Sequence, residues 1–208
     1  MTQALSKTVT FDEFIEWYPE NSDHKYELHD GVIVEMPKPT GPHSEVAGLL
    51  NGELFIEIRR SSLPYFIPKE CVIKPRDNSG YEPDIIVLDK QQVSNHESRW
   101  KKESIITRGD SVRLVVEVVS TNWEDDYALK LEEYELFGIC EYWIVDYLAL
   151  GGRRFIGNPK QKTISVYSLV EGIYQLNQFR GDDRIVSPTF PGLTLTARQV
   201  FDAGSSIP

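Results

Sequence analysis

The chain has 208 residues and a formal net charge of −10, and its hydrophobic (40%) and charged (26%) residues are balanced as in an ordinary globular protein. This length is sufficient for one domain with a sizeable core. No apolar segment approaches the roughly 20 residues needed to span a membrane, and we expect no signal core at the N-terminus. The acidic balance counts against non-specific binding of nucleic acids, although it leaves room for a local basic patch.

Cysteine usage gives a first indication of the compartment. Cys71 and Cys140 are far apart in the sequence and form no CxxC pair. This arrangement argues against a zinc site and against a disulfide framework, and it is typical of a reducing cytoplasm. The sequence contains no internal repeat, no low-complexity tract and no linker rich in proline, glycine and serine. It therefore predicts a single cytoplasmic domain over residues 1–208.

The N-terminal half is predicted to alternate short strands with two helices. Apolar residues at helical spacing indicate the helices, and a turn signal at Asp30-Gly31 indicates a pair of strands. Pro83 lacks an N–H group and therefore suits the start of a strand. The expected elements are a helix at 11–18, two strands within 25–35, a helix at 43–60, and strands at 65–73 and 81–89.

The C-terminal half is predicted to begin with the apolar strand LVVEVVS at 114–120. A helix is expected at 125–137 with Gly138 as its stop, followed by a strand at 141–147. A hairpin is expected at 163–179, because its residues alternate about a central turn. The order strand, strand, helix, strand predicts an α/β (α+β) fold. We expect a central mixed sheet flanked by helices, with an added antiparallel hairpin.

Glu117 lies in the middle of the apolar strand. Side chains alternate between the two faces of a strand, and both faces are apolar here, which is typical of a central strand covered on each side. A buried carboxylate is costly unless it is paired with a cation or bound to a metal ion. Glu117 therefore needs a partner.

Asp84 and Lys130 are the candidate partners. Asp84 precedes an apolar run on a strand that we expect to lie beside the strand of Glu117. Two carboxylates on adjacent strands repel each other, and a divalent cation such as magnesium or manganese would remove the repulsion. Asp126, Lys130 and Tyr134 are four residues apart along one ridge of the next helix, and the long stem of Lys130 could reach back to the strand. In such a group a metal would activate water for phosphodiester hydrolysis and the lysine would stabilise charge.

The order of Pro83-Asp84, Glu117 and a lysine resembles the PD-(D/E)xK nuclease superfamily. The chain departs from that pattern at Val119, where the superfamily has its lysine, and Lys130 fits a variant in which the lysine has moved to a helix. The longer string over 117–146 is more specific and resembles the Uma-two family of restriction-endonuclease-like proteins. The same family is also matched by Tyr26-Glu27, Asp30-Gly31, His43 and the segment PTFPGLTL at 188–195.

This resemblance covers nearly the whole chain and implies a restriction-endonuclease-like fold and a metal-dependent endonuclease that cuts DNA. It assigns Mg²⁺ (or Mn²⁺) to Asp84 and Glu117, and catalysis to these two residues with Lys130 and Glu27. In the superfamily, a glutamate placed as Glu27 is can join the metal site. The superfamily often works as dimers, so we expect a homodimer, with the hairpin at 163–179 as a plausible edge.

Each candidate residue also has a purely structural interpretation. Glu117 could be a structural glutamate paired with Lys130, Asp84 could cap a strand or a turn, and Lys130 could be a solvated partner of Asp126. Asp126 is expected to hold Lys130 rather than to bind metal, and Glu27 is open between the two interpretations.

His43 could contact a phosphate or a water molecule, or it could be a partly exposed histidine at a helix start. Tyr134, Tyr142 and Trp143 are expected in the core. Basic residues at 59–60, 69, 74, 76, 101–102 and 153–154 could contact DNA, but an ordinary solvated surface explains them equally well.

Three functions remain open from the sequence. The first is a metal-dependent DNA endonuclease. The second is a non-catalytic module on the same fold that binds nucleic acid or a protein, which the acidic charge and Val119 favour. The third is another hydrolase with two carboxylates, such as a glycosidase, although Glu117 on a central strand and the family pattern both point to phosphates.

Overall fold

The computed structural model describes residues 8–19 and 24–205. Residues 1–7, which belong to the N-terminal stretch without an expected signal core, lie outside this part. The α-helices are α1 (Phe11–Trp17), α2 (Gly41–Arg60), α3 (Lys90–His96), α4 (Trp100–Glu103), α5 (Lys130–Phe137), α6 (Arg153–Ile156) and α7 (Ala197–Ala203). Within residues 8–19 and 24–205, none of the helices is both long and apolar enough to cross a membrane.

The strands form two mixed sheets. They are β1 (Lys25–His29), β2 (Val32–Met36), β3 (Tyr65–Phe66), β4 (Val72–Arg76), β5 (Ser79–Tyr81), β6 (Ile85–Asp89), β7 (Ile105–Ile106), β8 (Val112–Val118), β9 (Glu141–Asp146), β10 (Thr163–Val170) and β11 (Ile173–Phe179). The smaller sheet has the order β2-β1-β5-β4-β7, and the larger has the order β11-β10-β9-β8-β6-β3. The α/β (α+β) class is confirmed, with the strands divided between two sheets.

Strand β8 is the centre of the larger sheet. It pairs antiparallel with β6 and parallel with β9. Leu114 and Val116 pack into an apolar layer together with α2 and α7, whereas Val115 and Val119 pack into a second layer on the side of α5. The prediction of a central strand with two apolar faces is therefore confirmed, and Glu117 shares the α5 face.

Two predicted strands were wrong because each is divided between the sheets. The segment 65–73 contains β3 of the larger sheet and the start of β4 in the smaller one, and the segment 81–89 ends β5 before it begins β6. Short apolar runs occur on both sides of each break, so the periodicity alone does not show where the chain leaves a sheet. The second break contains Pro83, which cannot donate to a ladder.

The helix predicted at 125–137 is present with a change of winding. A π-helical turn over Asp125–Leu129 precedes α5, and such turns occur frequently at functional sites. The helix ends at Gly138, whose φ of +89° is readily adopted only by glycine. The hairpin at 163–179 is confirmed as β10 and β11.

Candidate functional site

The candidate site is a cavity of about 230 Å³ where the two sheets meet. Its wall collects acidic side chains from several elements around Lys130. Those used below are Glu27 on β1, Asp84 before β6, Glu117 on β8, Asp126 in the π-helical turn, and Lys130 and His43 at the starts of α5 and α2. The structure thus brings together all the residues that the sequence singled out for catalysis.

The carboxylate of Glu117 is held by two neighbours from α5. The Nζ atom of Lys130 lies 3.1 Å from Glu117 Oε1, and the hydroxyl of Tyr134 donates to the same oxygen over 3.2 Å. Only 5% of Glu117 and 2% of Lys130 is exposed. The expectation that Glu117 has a partner is confirmed, and the alternative of a solvated Lys130 is wrong, because the lysine points into the site.

Lys130 also links the two sheets. Its Nζ atom lies 3.1 Å from Glu27 Oε1 on the smaller sheet and 3.8 Å from Asp126 Oδ1. Glu27 accepts two further hydrogen bonds, from His29 Nε2 (2.8 Å) and from the backbone N–H of Glu82 (3.1 Å). Glu27 is therefore fixed on both oxygens, which leaves it poorly placed to act as a free ligand.

Asp84 lies beside Glu117 because β6 and β8 are antiparallel. Ile85 pairs with Val116, so the next step along the two strands brings Asp84 to the level of Glu117. The Oδ2 atom of Asp84 accepts a hydrogen bond from the N–H of Val118 over 2.8 Å. The side chain remains partly exposed, with 28% of its surface accessible, so it still faces the cavity.

His43 contacts the same strand from α2. Its Nε2 atom lies 2.9 Å from the carbonyl oxygen of Val118 and 3.4 Å from Asp84 Oδ2. The residue is 8% exposed, so the expectation of a partly exposed histidine is wrong. Thr40 caps α2 by accepting from the His43 N–H group, which fixes the start of the helix against the site.

The charges in the cavity are unbalanced. Five acidic side chains, those of Glu27, Glu82, Asp84, Glu117 and Asp126, line it together with three lysines, Lys25, Lys38 and Lys130. Burial raises the pKa of Glu117, and the negative charges of Asp126, Asp84 and Glu27 raise it further, against the effect of Lys130. For the same reasons the pKa of Asp126 is raised to about 7.

The pKa values of the two basic groups are raised as well. Burial lowers the pKa of Lys130, but Glu117, Glu27 and Asp126 outweigh this effect and hold the lysine pKa well above its usual value. Burial likewise opposes the charged form of His43, and the contact with Asp84 raises its pKa overall. Because the raised pKa values of Glu117 and Asp126 come partly from repulsion among the acids, a bound cation would favour their charged forms.

Sequence reasoning missed two side chains that hold the acidic group in place. His29 lies two residues after Glu27 and therefore on the same face of β1, a signal that the sequence offered. Tyr134 lies one helical turn after Lys130 and is buried as expected, but its hydroxyl contacts Glu117. The helical spacing of Asp126, Lys130 and Tyr134 predicted their common ridge without showing this contact.

A magnesium ion fits the residues present. In the described ranges, 8–19 and 24–205, no three or more His, Cys, Asp or Glu side chains form a ready-made metal site. Magnesium does not need one, because it commonly keeps several waters and binds through one or two carboxylates together with substrate phosphates. Asp84 and Glu117 supply two carboxyl groups, and a cation between them would offset their mutual repulsion.

Four of the nine basic residues that could contact DNA are paired with acidic side chains. Lys69 lies 3.0 Å from Glu70, Lys74 lies 2.9 Å from Asp77, and the Arg76 guanidinium lies 3.4 Å from Glu133. Arg60 is paired with Glu57. These pairs reduce the basic character that the sequence indicated, and they favour an ordinary surface for this region.

Comparison with known proteins identifies the family. The model of the Uma-two family (Uma2), described as "Putative restriction endonuclease", matches residues 11–198. The chain belongs to the Uma2 family. A crystal structure of a "putative nuclease belonging to DUF820" from Anabaena variabilis superposes with a TM-score of 0.69 at 19% identity, covering 94% of this chain and 99% of the other. At that identity the likeness shows the fold. Among curated proteins none matches the chain.

Proposed function

We propose that this Uma2 protein is a metal-dependent endonuclease that hydrolyses phosphodiester bonds in DNA. The observation that carries the proposal is the acidic cavity, in which Asp84 and Glu117 lie beside Lys130. Family membership supports a nuclease, and the donor chemistry supports a hard divalent cation. Substrate, metal and catalytic roles are the parts that we propose.

Asp84 and Glu117 would hold Mg²⁺ or Mn²⁺. When bound, the ion polarises the scissile phosphate and lowers the pKa of a water ligand. Tyr134 and Lys130 fix the Glu117 carboxylate from two sides, so the carboxylate does not have to reorganise when it binds a cation. The Val118 N–H group fixes one oxygen of Asp84 in the same way.

Lys130 supplies the positive charge of the site. Its pKa is held well above the usual value, so it stays protonated and acts as a charge stabiliser rather than as a base. Negative charge that develops on the phosphate during hydrolysis would be stabilised by this ammonium group. Glu27 acts on the lysine, which it orients through its 3.1 Å contact, and we assign it a positioning role.

A non-catalytic binding module on the same fold is the second candidate. It is favoured by Val119, which occupies the position of the superfamily lysine, and by the ion pairs that occupy Lys69, Lys74 and Arg76. In that case Lys130 would be a structural counter-ion for Glu117 and Glu27, and the cavity would not turn over substrate.

Plasmid cleavage with Mg²⁺ or Mn²⁺ tests the proposal, with EDTA as a control. We expect the wild type to nick or linearise the plasmid only with metal, and we expect Glu117→Ala to be inactive while it keeps its circular dichroism spectrum. Titration calorimetry with each metal separates the two candidates if no plasmid is cut. Metal binding that requires Glu117 would keep the nuclease proposal, and absence of binding would favour the binding module.

We also propose that the chain acts in the cytoplasm as a homodimer, with residues 1–208 as one domain. Cys71 and Cys140 are free thiols, which suits a reducing compartment. The contact between Lys130 and Glu27 joins the two sheets, which supports one domain. Two copies would supply the two active sites that cleavage of both strands needs.

A further inference from the structure

The outer face of α2 carries a stripe that the rest of the chain does not use. The buried face of this helix contains Val46, Leu50 and Leu54. The opposite, solvent-facing side contains Glu45, Gly48, Gly52, Phe55, Ile56 and Arg59. Positions 45, 48, 52, 55 and 59 are separated alternately by three and four residues, which is the spacing of the contact positions in a helix pair that packs along its length.

Two large apolar side chains lie on this stripe. Phe55 is 56% exposed and Ile56 is 57% exposed, and they are neighbours on a regular helix of 20 residues. Exposed apolar groups that lie together are typical of an interaction surface. Their position on a rigid helix, rather than on a loop, gives a partner a fixed shape to bind.

The two glycines have no function in the isolated chain. A Cβ atom added at Gly48 or Gly52 would meet nothing within 4 Å, and both residues have ordinary helical backbone. Glycine inside a helix lowers its stability relative to alanine. Neither crowding nor backbone conformation explains this cost. Close approach of a second backbone does explain it, because only glycine leaves room at such a crossing.

The charges on the stripe are arranged so that it can pair with itself. A two-fold axis through Gly52 relates positions that lie equally far before and after it in two antiparallel helices. Gly48 would then face the partner's Ile56, and Glu45 would face the partner's Arg59. Within the described part of the chain, the side chains of Glu45 and Arg59 have no ion-pair or hydrogen-bond partner.

We propose that the outer face of α2 is the dimer interface, and that its occupant is the same face of a second copy in antiparallel orientation. The stripe is self-complementary, with small residues opposite Ile56 and with acid opposite base, as an isologous interface requires. This proposal does not depend on the nuclease activity, because it concerns association in the absence of DNA.

The edge strand β11 is the competing surface and is the one that the sequence indicated. It lies at the end of the larger sheet, and Ile173 and Leu176 on it are exposed. Pairing through this edge would join two copies by backbone hydrogen bonds. It would leave Gly48 and Gly52 unexplained, so we favour α2.

Sedimentation equilibrium across the micromolar range tests the interface. We expect the wild type to dimerise, and we expect Gly52→Leu to raise the dissociation constant by at least about tenfold. Leucine is the better helix former, so the monomer of this variant should melt no lower than wild type. Leu176→Asp on β11 is the matched control and should leave the dissociation constant unchanged. A wild type that stays monomeric, or a dimer lost only in the control, overturns the proposal.

Charge reversal tests the antiparallel register. Glu45→Arg and Arg59→Glu alone each place like charges at both ends of the two-fold interface, and each should weaken the dimer roughly three- to tenfold. The double variant Glu45→Arg/Arg59→Glu restores both pairs and should dimerise within about twofold of wild type. If the double variant is no better than the single ones, the antiparallel register is overturned.

Discussion

Two buried glutamates lie on neighbouring strands of the larger sheet, and they differ in their partners. Glu117 is near the end of β8 and Glu141 is at the start of β9, so in this parallel pair they lie at opposite ends. Both are nearly inaccessible, and burial raises the pKa of both. Burial and pKa direction therefore do not separate a candidate site from a structural residue.

The hydrogen-bond and ion-pair partners distinguish Glu117 from Glu141. Glu141 accepts hydrogen bonds from neutral donors, namely Trp143 Nε1, Ser187 Oγ and the Thr189 N–H group. Glu117 instead shares Lys130 with other carboxylates and lines a cavity. A structural glutamate has its hydrogen-bonding needs met by fixed neighbours, whereas Glu117 lies in a group of mutually repelling acids that lines a cavity.

Removing the positive charge of Lys130 should have the largest effect on stability. Lys130→Met leaves several buried carboxylates without their counter-ion, and we expect the free energy of unfolding to fall by about 3–5 kcal/mol. Urea unfolding in metal-free buffer measures this. Lys162→Met, at an exposed lysine, is the control and should change stability by less than about 0.5 kcal/mol. Similar losses in both variants would show that the buried ion pairs contribute little.

Replacing each glutamate by glutamine should lower activity at Glu117 and stability at Glu141. Glu117→Gln should lower the cleavage rate roughly 10²- to 10³-fold, while stability stays equal or rises because the neutral form is already favoured at this position. Glu141→Gln should cost about 1–3 kcal/mol of stability, since an amide NH₂ group cannot accept hydrogen bonds.

Plasmid cleavage per folded molecule is the readout for this pair. Glu141→Gln should cleave within about twofold of wild type, because its neighbours take no part in the proposed chemistry. Equal activity losses in the two variants would remove the distinction between Glu117 and Glu141.

Magnesium should stabilise only proteins with an intact acidic cavity. At a metal concentration of roughly 100 times the dissociation constant, binding to the folded state adds about 2.7 kcal/mol. Thermal unfolding with and without Mg²⁺ measures it, and EDTA should reverse it. We expect Asp84→Asn to lose the stabilisation and Glu141→Gln to keep it. If magnesium leaves the melting temperature of the wild type unchanged, the assignment of Asp84 as a metal ligand is contradicted.

The last effect expected is a change in the slope of stability against pH that originates at Asp126. Its pKa is raised from 3.8 to about 7, so between these values the folded state binds more protons than the unfolded state. Stability should therefore fall as pH rises through this window, by up to about 1.4 kcal/mol per pH unit. Urea unfolding of metal-free protein at several pH values should show a flatter profile for Asp126→Asn. Parallel profiles would assign the dependence to other groups.

Local patterns predicted four strands of the larger sheet well, β8 to β11. The alternation of LVVEVVS placed Glu117 on a central strand, and the helical spacing after it placed Lys130 on the helix that covers this strand. The hairpin formed by β10 and β11 was predicted for the same reason, because adjacent strands joined by a tight turn pair with each other. In each case the information lies within a few residues of the feature.

Such local patterns did not predict the contacts between the two sheets. Glu27 and Lys130 are 103 residues apart, and no periodicity specifies that they meet; only the family resemblance indicated Glu27. The prediction of continuous strands at 65–73 and 81–89 was wrong for the same reason, because an apolar run does not show which sheet it joins. The π-helical turn over Asp125–Leu129 has no signal in helical spacing.

The break at Pro83 has a consequence for how the site comes into being. Within three residues the chain leaves β5 in one sheet and enters β6 in the other. On the way, the Glu82 N–H group binds Glu27, and Asp84 binds the Val118 N–H group. The site is therefore formed where the two sheets meet, and it needs residues from both. Because the Glu27–Lys130 contact spans 103 residues, the site is complete only once both sheets have formed and packed against each other.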